Sequence, residues 1–194
     1  MWAAARTAII ADVHLGKADC LAVHGAPIPA GVIESQLAAI DKLLDTHSIE
    51  RLLVVGDLLH AGIGLTPLVL DTVAAWRRRR PLPLLVVPGN HDRALSRVAQ
   101  AWGLTTCPEC HTEGPFDFVH DPATAAAGRQ TFAGHIHPAI VLRGGGDSLR
   151  LPCFHLKPGL CVLPAFSAFT SGASIRPDVG DRVLAIAHNE VIEI

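Results

Sequence analysis

The sequence predicts an α/β fold with a mostly parallel sheet in its first half and a strand-rich second half. Up to about residue 102, apolar runs alternate with segments of helical periodicity, and this β-α-β-α-β-α order is typical of parallel sheets. Beyond that point the apolar segments are short and separated by turns such as residues 144–147, which favours strands that pair mainly antiparallel. The 194 residues, 49% of them hydrophobic, are enough for one core, so we expect a single domain over residues 1–194.

Three helices are predicted in the first half. Residues 31–47 have apolar side chains at helical spacing, and so do residues 67–77, where Thr66 and Pro67 form a helix-start signal. A third helix, ending before a glycine, is expected over about residues 94–102. The positions expected to face the sheet are Ile33, Leu37, Ile40 and Leu44 in the first helix and Val69, Val73 and Trp76 in the second.

Five apolar segments each run directly into side chains that commonly bind metals. In chain order, these side chains are Asp12 and His14, Asp57, Asn90, His120, and His135 and His137. In open α/β sheets, ligands bind in the crevice beyond the carboxyl ends of the strands, so we expect all seven to lie at one rim. Each residue alone could be a plain turn or surface residue, but their coincidence at five strand ends predicts a two-metal hydrolytic centre.

Asp57 is the expected bridge between two ions, because its carboxylate offers one oxygen to each. We assign Asp12, His14, Asp57 and His137 to the first ion, and Asp57, Asn90, His120 and His135 to the second. Asp12 and His14 are two residues apart on a predicted strand, so their side chains are expected to point the same way. Oxygen and imidazole ligands without thiolate suit Mn, Fe, Zn, Co or Ni.

Four further polar residues near the ligands are candidates for catalysis or substrate contact. His91 and Asp92 are the expected catalytic pair: His91 protonates the leaving oxygen without binding an ion, and Asp92 orients a neighbour. Lys17 and His60 also lie close to ligands in the sequence and could contact phosphate. A solvated lysine, and a histidine that only supports the ligands, are equally consistent with the sequence.

Charge and cysteine content narrow the classes of function. The formal net charge of −2 gives no general attraction to nucleic acid, so DNA binding would need a local patch. The arginines at residues 77–80 are one candidate, although a helix C-terminus favours cations by itself.

Cys107 and Cys110 have zinc-ligand spacing, but an odd total of five cysteines favours reduced, structural thiols. No apolar run is long enough to cross a bilayer, so we expect a cytoplasmic protein without membrane contact.

The ordered set D-x-H, G-D, G-N-H-D, H and G-H-x-H, from Asp12 to His137, resembles the calcineurin-like metallophosphoesterases. The resemblance implies a two-sheet β-sandwich flanked by helices, with a dinuclear metal site at the C-terminal ends of the strands. A closer likeness, to the bacterial ligase-associated group of this family, rests on residues 11–17, 25–29, 56–60, 120–122, 134–138 and 163–166. It implies a manganese-dependent phosphodiesterase and DNA endonuclease, linked to DNA repair and functionally associated with a DNA ligase, an Lhr-type helicase and an exonuclease.

Three functions therefore remain open. The first is hydrolysis of phosphodiesters in DNA, and the second is phosphomonoesterase or nucleotide pyrophosphatase activity on the same centre, because fold and metal ligands do not fix the substrate. The third is a non-enzymatic interaction subunit, which the intact ligand set argues against. The longest turn-rich stretch, residues 167–182, is too short for an inserted cap, and an uncapped rim would admit a continuous DNA strand.

Overall fold

Four parallel strands form the first sheet in the described part of the chain. The computed structural model describes residues 1–46, 48–188 and 190–194. The strands are β1 (Thr7–Ala11), β2 (Arg51–Val55), β3 (Leu84–Val87) and β4 (Leu104–Thr106), in that spatial order. The parallel arrangement expected for the first half is confirmed. The sequence pattern does not predict β4, because its last two residues are exposed threonines.

The helices of the first half are α1 (Lys17–Val23), α2 (Val32–Thr46), α3 (Pro67–Arg79) and α4 (Ala99–Trp102). Helices α2 and α3 agree with the prediction, and all seven side chains expected to face the sheet are buried; residue 47 lies outside the described residues. The Thr66 hydroxyl accepts a hydrogen bond from the Val69 amide at 3.3 Å, so it is the N-cap of α3.

The third predicted helix is wrong as a continuous element. The chain forms a 3₁₀ segment over Asp92–Arg97 and then the single α-helical turn of α4, which ends at Gly103 with a φ of 56°. The reason lies at the start of the segment, where the buried Asp92 carboxylate accepts hydrogen bonds from backbone amides elsewhere in the fold. This anchoring is tertiary, and helical periodicity does not report it.

The second half of the chain forms a sheet of mixed direction. Its strands are β5 (Cys110–Glu113), β6 (Phe116–Val119), β7 (Gln130–Ala133), β8 (Pro138–Gly144), β9 (Asp147–Lys157), β10 (Leu160–Val162), β11 (Ala173–Ser174), β12 (Arg182–Ala187) and β13 (Glu190–Glu193). The order is β11-β8-β9-β10-β7-β6-β5, with β12 pairing β9 and β13. Antiparallel pairs predominate among the described strands of this sheet, as expected for the second half, but β6–β7, β7–β10 and β8–β11 are parallel. Gly145 and Gly146 make the predicted hairpin between β8 and β9, with φ of 59° and 87°.

The two sheets pack against each other, and helices cover the outer face of the first sheet. Alternate residues of β2 explain the layering: Leu52 and Val54 belong to the core shared with α2 and α3, whereas Leu53 and Val55 pack with Phe118 of the second sheet. A strand buried on both faces has a continuous apolar sequence. The predicted two-sheet sandwich with flanking helices is therefore confirmed.

The arginines at residues 77–80 serve mainly the fold. The Arg77 guanidinium is buried and donates to the carbonyl oxygens of Trp102, Arg80 and Leu82 at 2.7–2.8 Å. Arg80 pairs with acidic side chains of α2. Arg78 and Arg79 are exposed, so half of the run remains available to a partner.

Two further expectations from the sequence concern cysteines and membranes. Cys107 is buried, Cys110 is exposed, and no cysteine of the described residues belongs to a group of side chains that could hold a metal ion. Among the described helices, none has both the length and the apolar character needed to cross a membrane.

Candidate metal centre

His14, His137 and Asp12 form the first group of facing ligand atoms. The Nε2 atoms of His14 and His137 lie 3.4 Å apart, and His137 Nε2 lies 3.4 Å from Asp12 Oδ1. Ligand atoms that bind one ion at roughly 2.0–2.2 Å lie about 3–3.5 Å from each other. The spacing of this group therefore fits a single divalent ion.

His120 is the centre of the second group. Its Nε2 atom lies 2.9 Å from Asn90 Oδ1, 3.0 Å from His135 Nδ1 and 3.5 Å from Asp57 Oδ2. One imidazole nitrogen cannot satisfy an amide oxygen, a second ring nitrogen and a carboxylate with a single proton. The convergence of these four atoms is the arrangement expected of ligands around a shared cation.

Asp57 lies between the two groups. Its Oδ2 atom faces both halves of the site, 3.9 Å from His14 Nε2 and 3.5 Å from His120 Nε2. Its Oδ1 atom instead accepts a hydrogen bond from the His91 amide at 2.9 Å. The Oδ2 atom is therefore the one that faces both positions, whereas Oδ1 also holds the backbone of His91; the assignment of one oxygen to each ion stays a prediction.

Asp12 also lies between the groups. Its Oδ1 atom is 3.4 Å from His137 and 3.7 Å from His120 Nδ1, and its Oδ2 atom accepts the His135 amide hydrogen at 2.9 Å. Asp12 thus belongs to two of the ligand groups that could hold a metal, one with His14 and His137 and one with Asp57 and His120. The assignment to the first ion alone understates how centrally it lies.

Five of the seven predicted ligands have a left-handed backbone: Asp12, His14, Asp57, His135 and His137, with φ between 47° and 68°. Strand β1 ends at Ala11, so the expected strand alternation of Asp12 and His14 is wrong, and a left-handed turn brings their side chains together instead. Such conformations cost on the order of 1–3 kcal/mol each and cluster at functional sites.

The glycines next to the ligands leave room for ligand side chains. A Cβ on Gly56 would overlap the His120 ring, one on Gly89 would overlap the Asp57 carboxylate, and one on Gly134 would lie 2.7 Å from Asp12 Oδ2. Each of these glycines, in the G-D, G-N-H-D and G-H-x-H strings, therefore has no side chain because a ligand from a different string occupies the space.

Burial gives the centre unusual protonation behaviour. Asp57 is 2% exposed, and burial raises its pKa to about 6 against the opposing hydrogen bond from the His91 amide. Burial, together with the charge of Lys17, lowers the pKa of His14 to about 3. The Nδ1 atoms of His14 and His120 are buried without a hydrogen-bond partner in the described chain. Imidazoles that are held neutral beside carboxylates fit divalent cations well.

His91 lies beside the first group rather than inside it. Its Nδ1 atom is 2.8 Å from the His60 carbonyl oxygen, and its ring stacks on the His60 ring with centroids 4.9 Å apart. The ring of His14 contacts both edge-on, at 5.2 and 5.4 Å. His14, His60 and His91 form a third group whose ligand atoms are mutually close. The predicted catalytic residue His91 and the candidate substrate contact His60 therefore lie together beside the first ligand group.

Asp92 faces the protein interior, not the rim. One carboxylate oxygen accepts the Leu59 amide hydrogen at 2.8 Å, and the other accepts those of Gly89 at 2.9 Å and Leu58 at 3.3 Å. These bonds connect the turn after β2 to the turn after β3, which contain Asp57 and Asn90. The geometry does not fit direct contact with a substrate, so we assign Asp92 a positioning role.

Lys17 lies at the edge of the centre, as the first residue of α1. Burial lowers the pKa of its ammonium, while the nearby Asp57 carboxylate raises it. Burial lowers the pKa of His60, and the Lys17 charge lowers it further. The Lys17 ammonium is therefore within electrostatic range of both Asp57 and His60.

Sequence reasoning missed two supports of the ligands. The Gln36 amide of α2 donates to the carbonyl oxygen of Val13, between Asp12 and His14, at 2.9 Å. The amide of Ser167 donates to the Asp12 carbonyl at 3.2 Å, which fixes the loop after β10 against the rim. Gln36 lies on the polar side of a predicted amphipathic helix, and only the tertiary contact reveals its role.

A groove of about 1070 Å³ begins beside His137. It runs between β1 and the loop over residues 163–172, and its lining is largely apolar, with Trp2, Phe154 and Phe166 among the contributors. The ligand atoms described above are mostly outside it, so the groove borders the centre without being the reacting site.

Comparison with known proteins agrees with the ligand pattern. The model of the calcineurin-like phosphoesterase family matches residues 5–155. The crystal structure of the Pseudomonas putida nuclease MPE has 36% sequence identity and a TM-score of 0.82, over 95% of this chain and 86% of that protein. Yfce, a phosphoesterase from E. coli, shares the fold, with 14% identity and a TM-score of 0.51 over 97% of both chains.

A search of curated proteins found no relative. The family match nevertheless covers most of the chain and includes every residue of the two ligand groups. This chain belongs to the calcineurin-like phosphoesterase family.

Proposed function

We propose that the protein is a divalent-metal-dependent phosphodiesterase that cleaves DNA internally. The main support is the pair of ligand groups that meet at Asp57 Oδ2, because two adjacent cation positions suit in-line hydrolysis of a phosphodiester. The similarity to a nuclease at 36% identity supports nucleic acid as the substrate class, and the resemblance of the sequence strings to the ligase-associated group supports DNA.

The residues around the centre have distinct proposed tasks. Divalent ions held by the seven ligands would activate water and neutralise the non-bridging phosphate oxygens. His91 presents Nε2 to the substrate, because its Nδ1 is engaged by the His60 carbonyl, and protonates the leaving oxygen. Lys17 and His60 contact the phosphate from the same side of the site.

The identity of the metal, the biological role and the partners are proposed from the sequence resemblance to the ligase-associated group. The matching residues 11–17 and 134–138 support manganese as the native ion and a role in DNA repair. On the same basis we propose functional association with a DNA ligase, an Lhr-type helicase and an exonuclease.

A comparison of three substrates tests the proposal. The manganese-loaded protein should hydrolyse bis-p-nitrophenyl phosphate well above p-nitrophenyl phosphate and should cleave a single-stranded oligonucleotide. The matched control is Asp57→Ala, which should be inactive on all three. Faster hydrolysis of the monoester with intact DNA would overturn the proposal in favour of a phosphomonoesterase. Hydrolysis restricted to the phosphoanhydride bond of a nucleoside triphosphate would favour a nucleotide pyrophosphatase.

A further inference from the structure

Two arginines without acidic partners among the described residues lie shortly after His91 in the sequence. Arg93 and Arg97 belong to the 3₁₀ segment Asp92–Arg97 and are exposed, and neither makes an ion pair or side-chain hydrogen bond within the described residues. Many arginines of the chain are paired: Arg6 with Glu50, Arg51 with Glu113, Arg80 with Asp41, Arg129 with Asp117, and Arg182 with Glu193. Within the described residues no acidic side chain neutralises Arg93 or Arg97, so both guanidinium groups are available to an anionic ligand.

Arg97 lies next to Gly62, in the segment that follows His60. Its Nη1 atom is 3.1 Å from the position that a Cβ would take on Gly62, which is two residues beyond His60. The His60 carbonyl in turn contacts His91. The guanidinium thus lies on the His60 side of the centre, and the absence of a side chain at position 62 gives it space there.

The acidic side chains next to Arg93 and near Lys17 in the sequence contact other groups of the protein. Asp92 is buried and faces backbone amides, and Asp19 of α1 accepts a hydrogen bond from Thr66 at 3.1 Å. Lys17 adds a positive charge near His60. Lys17, Arg93 and Arg97 thus place three positive charges on segments close to His60 and His91, although the whole chain has a net charge of −2.

We propose that Arg97, assisted by Arg93, forms a second phosphate-binding site that holds the DNA backbone at a nucleotide next to the scissile phosphate. The inference rests on the proposed function, since it concerns the same substrate. A guanidinium binds phosphate oxygens through two parallel hydrogen bonds, and neutralising backbone phosphates makes binding dependent on salt. A small diester lacks the neighbouring phosphate and does not reach this site.

The test compares Arg97→Ala and Arg93→Ala/Arg97→Ala with a matched control, Arg78→Ala/Arg79→Ala, whose two arginines are also exposed but lie at the end of α3. All are assayed with manganese on a single-stranded 30-mer and on bis-p-nitrophenyl phosphate. For Arg97→Ala, the KM for the 30-mer should rise about tenfold, as expected when one charged hydrogen-bond donor is removed. The slope of log KM against log salt should become shallower by about 0.7 for each phosphate that the variant no longer neutralises. Arg97→Lys should restore part of the affinity.

The outcomes separate the inference from the proposed function. If the wild-type protein cleaves the 30-mer but Arg97→Ala has the same KM and salt slope, the second site is wrong and the phosphodiesterase remains. The second site would also be wrong if Arg97→Ala lost equal activity on the 30-mer and on bis-p-nitrophenyl phosphate. The same holds if the Arg78→Ala/Arg79→Ala control lost as much activity on the 30-mer as Arg97→Ala. If the wild-type protein cleaves the small diester but leaves DNA intact, the proposed function fails and the inference fails with it. Thermal melting of each variant shows whether a loss reflects unfolding.

Discussion

His91 and His60 stack with ring planes 17° apart, and the Nδ1 atom of His91 lies 2.8 Å from the His60 carbonyl oxygen. A carbonyl oxygen only accepts hydrogen bonds, so the Nδ1 atom of His91 must bear a hydrogen. The remaining nitrogen, Nε2, is the atom available to a substrate, and it donates a proton only when the ring is protonated. The His60 backbone therefore fixes both the orientation and the tautomer of the proposed general acid.

Replacing His91 should separate chemistry from metal binding. We expect His91→Ala to retain both ions and to lower turnover of DNA by about 10²–10⁴-fold, the usual contribution of a general acid. The loss should be smaller for bis-p-nitrophenyl phosphate, because p-nitrophenolate leaves without a proton. Metal content by mass spectrometry and single-turnover rates check this. Loss of an ion would instead make His91 a ligand, together with His14 and His60.

Replacing Asp57 should remove the centre as a unit. Its Oδ2 atom faces both ligand groups, so Asp57→Ala should lower metal content and abolish activity. In wild-type protein, manganese at about 100 times its Kd should add about 2.7 kcal/mol to the free energy of unfolding, and the variant should lose this gain. An unfolding series with and without manganese measures it. A variant that keeps two ions and a near-normal rate would contradict the bridging role.

Gln36 should affect metal affinity without touching a metal. Its amide holds the carbonyl of Val13 between two left-handed ligands, and removing such an outer support typically weakens metal binding by about 10-fold to 100-fold. Gln36→Leu should therefore need more manganese for half-maximal activity, while kcat at saturating manganese changes little. The exposed Gln100→Leu on α4 is the control. An unchanged manganese requirement would show that the turn holds its shape unaided.

Arg77 should matter for stability, unlike its neighbour. Its buried guanidinium donates to carbonyl oxygens of Trp102, Arg80 and Leu82, which Arg77→Ala would leave without these donors. The free energy of unfolding should fall on the order of 3 kcal/mol, measured by urea denaturation. Arg78→Ala, at an exposed position, should stay within about 0.5 kcal/mol of wild type. Similar values for both would mean that water replaces the missing donors.

The sequence predicts well where the determinants are local. Helices α2 and α3 follow from apolar spacing and from the Thr66 cap. The candidate metal ligands could be predicted because they directly follow apolar, buried strands. It fails where distant contacts decide: the Asp92 carboxylate anchors a 3₁₀ segment in place of a helix. Likewise, only the fold reveals that Asp57 uses one oxygen for the backbone of His91 and that Gln36 reaches Val13.

The central claim is that the protein is a metal-dependent phosphodiesterase that cleaves DNA internally. Cleavage of a covalently closed, single-stranded DNA circle tests this claim most directly. A circle has no ends, so it becomes linear only through hydrolysis of an internal phosphodiester. The wild-type protein with manganese should convert circles to linear strands, and neither the metal-free protein nor Asp57→Ala should do so. Intact circles under conditions in which the same preparation hydrolyses p-nitrophenyl phosphate would contradict the account.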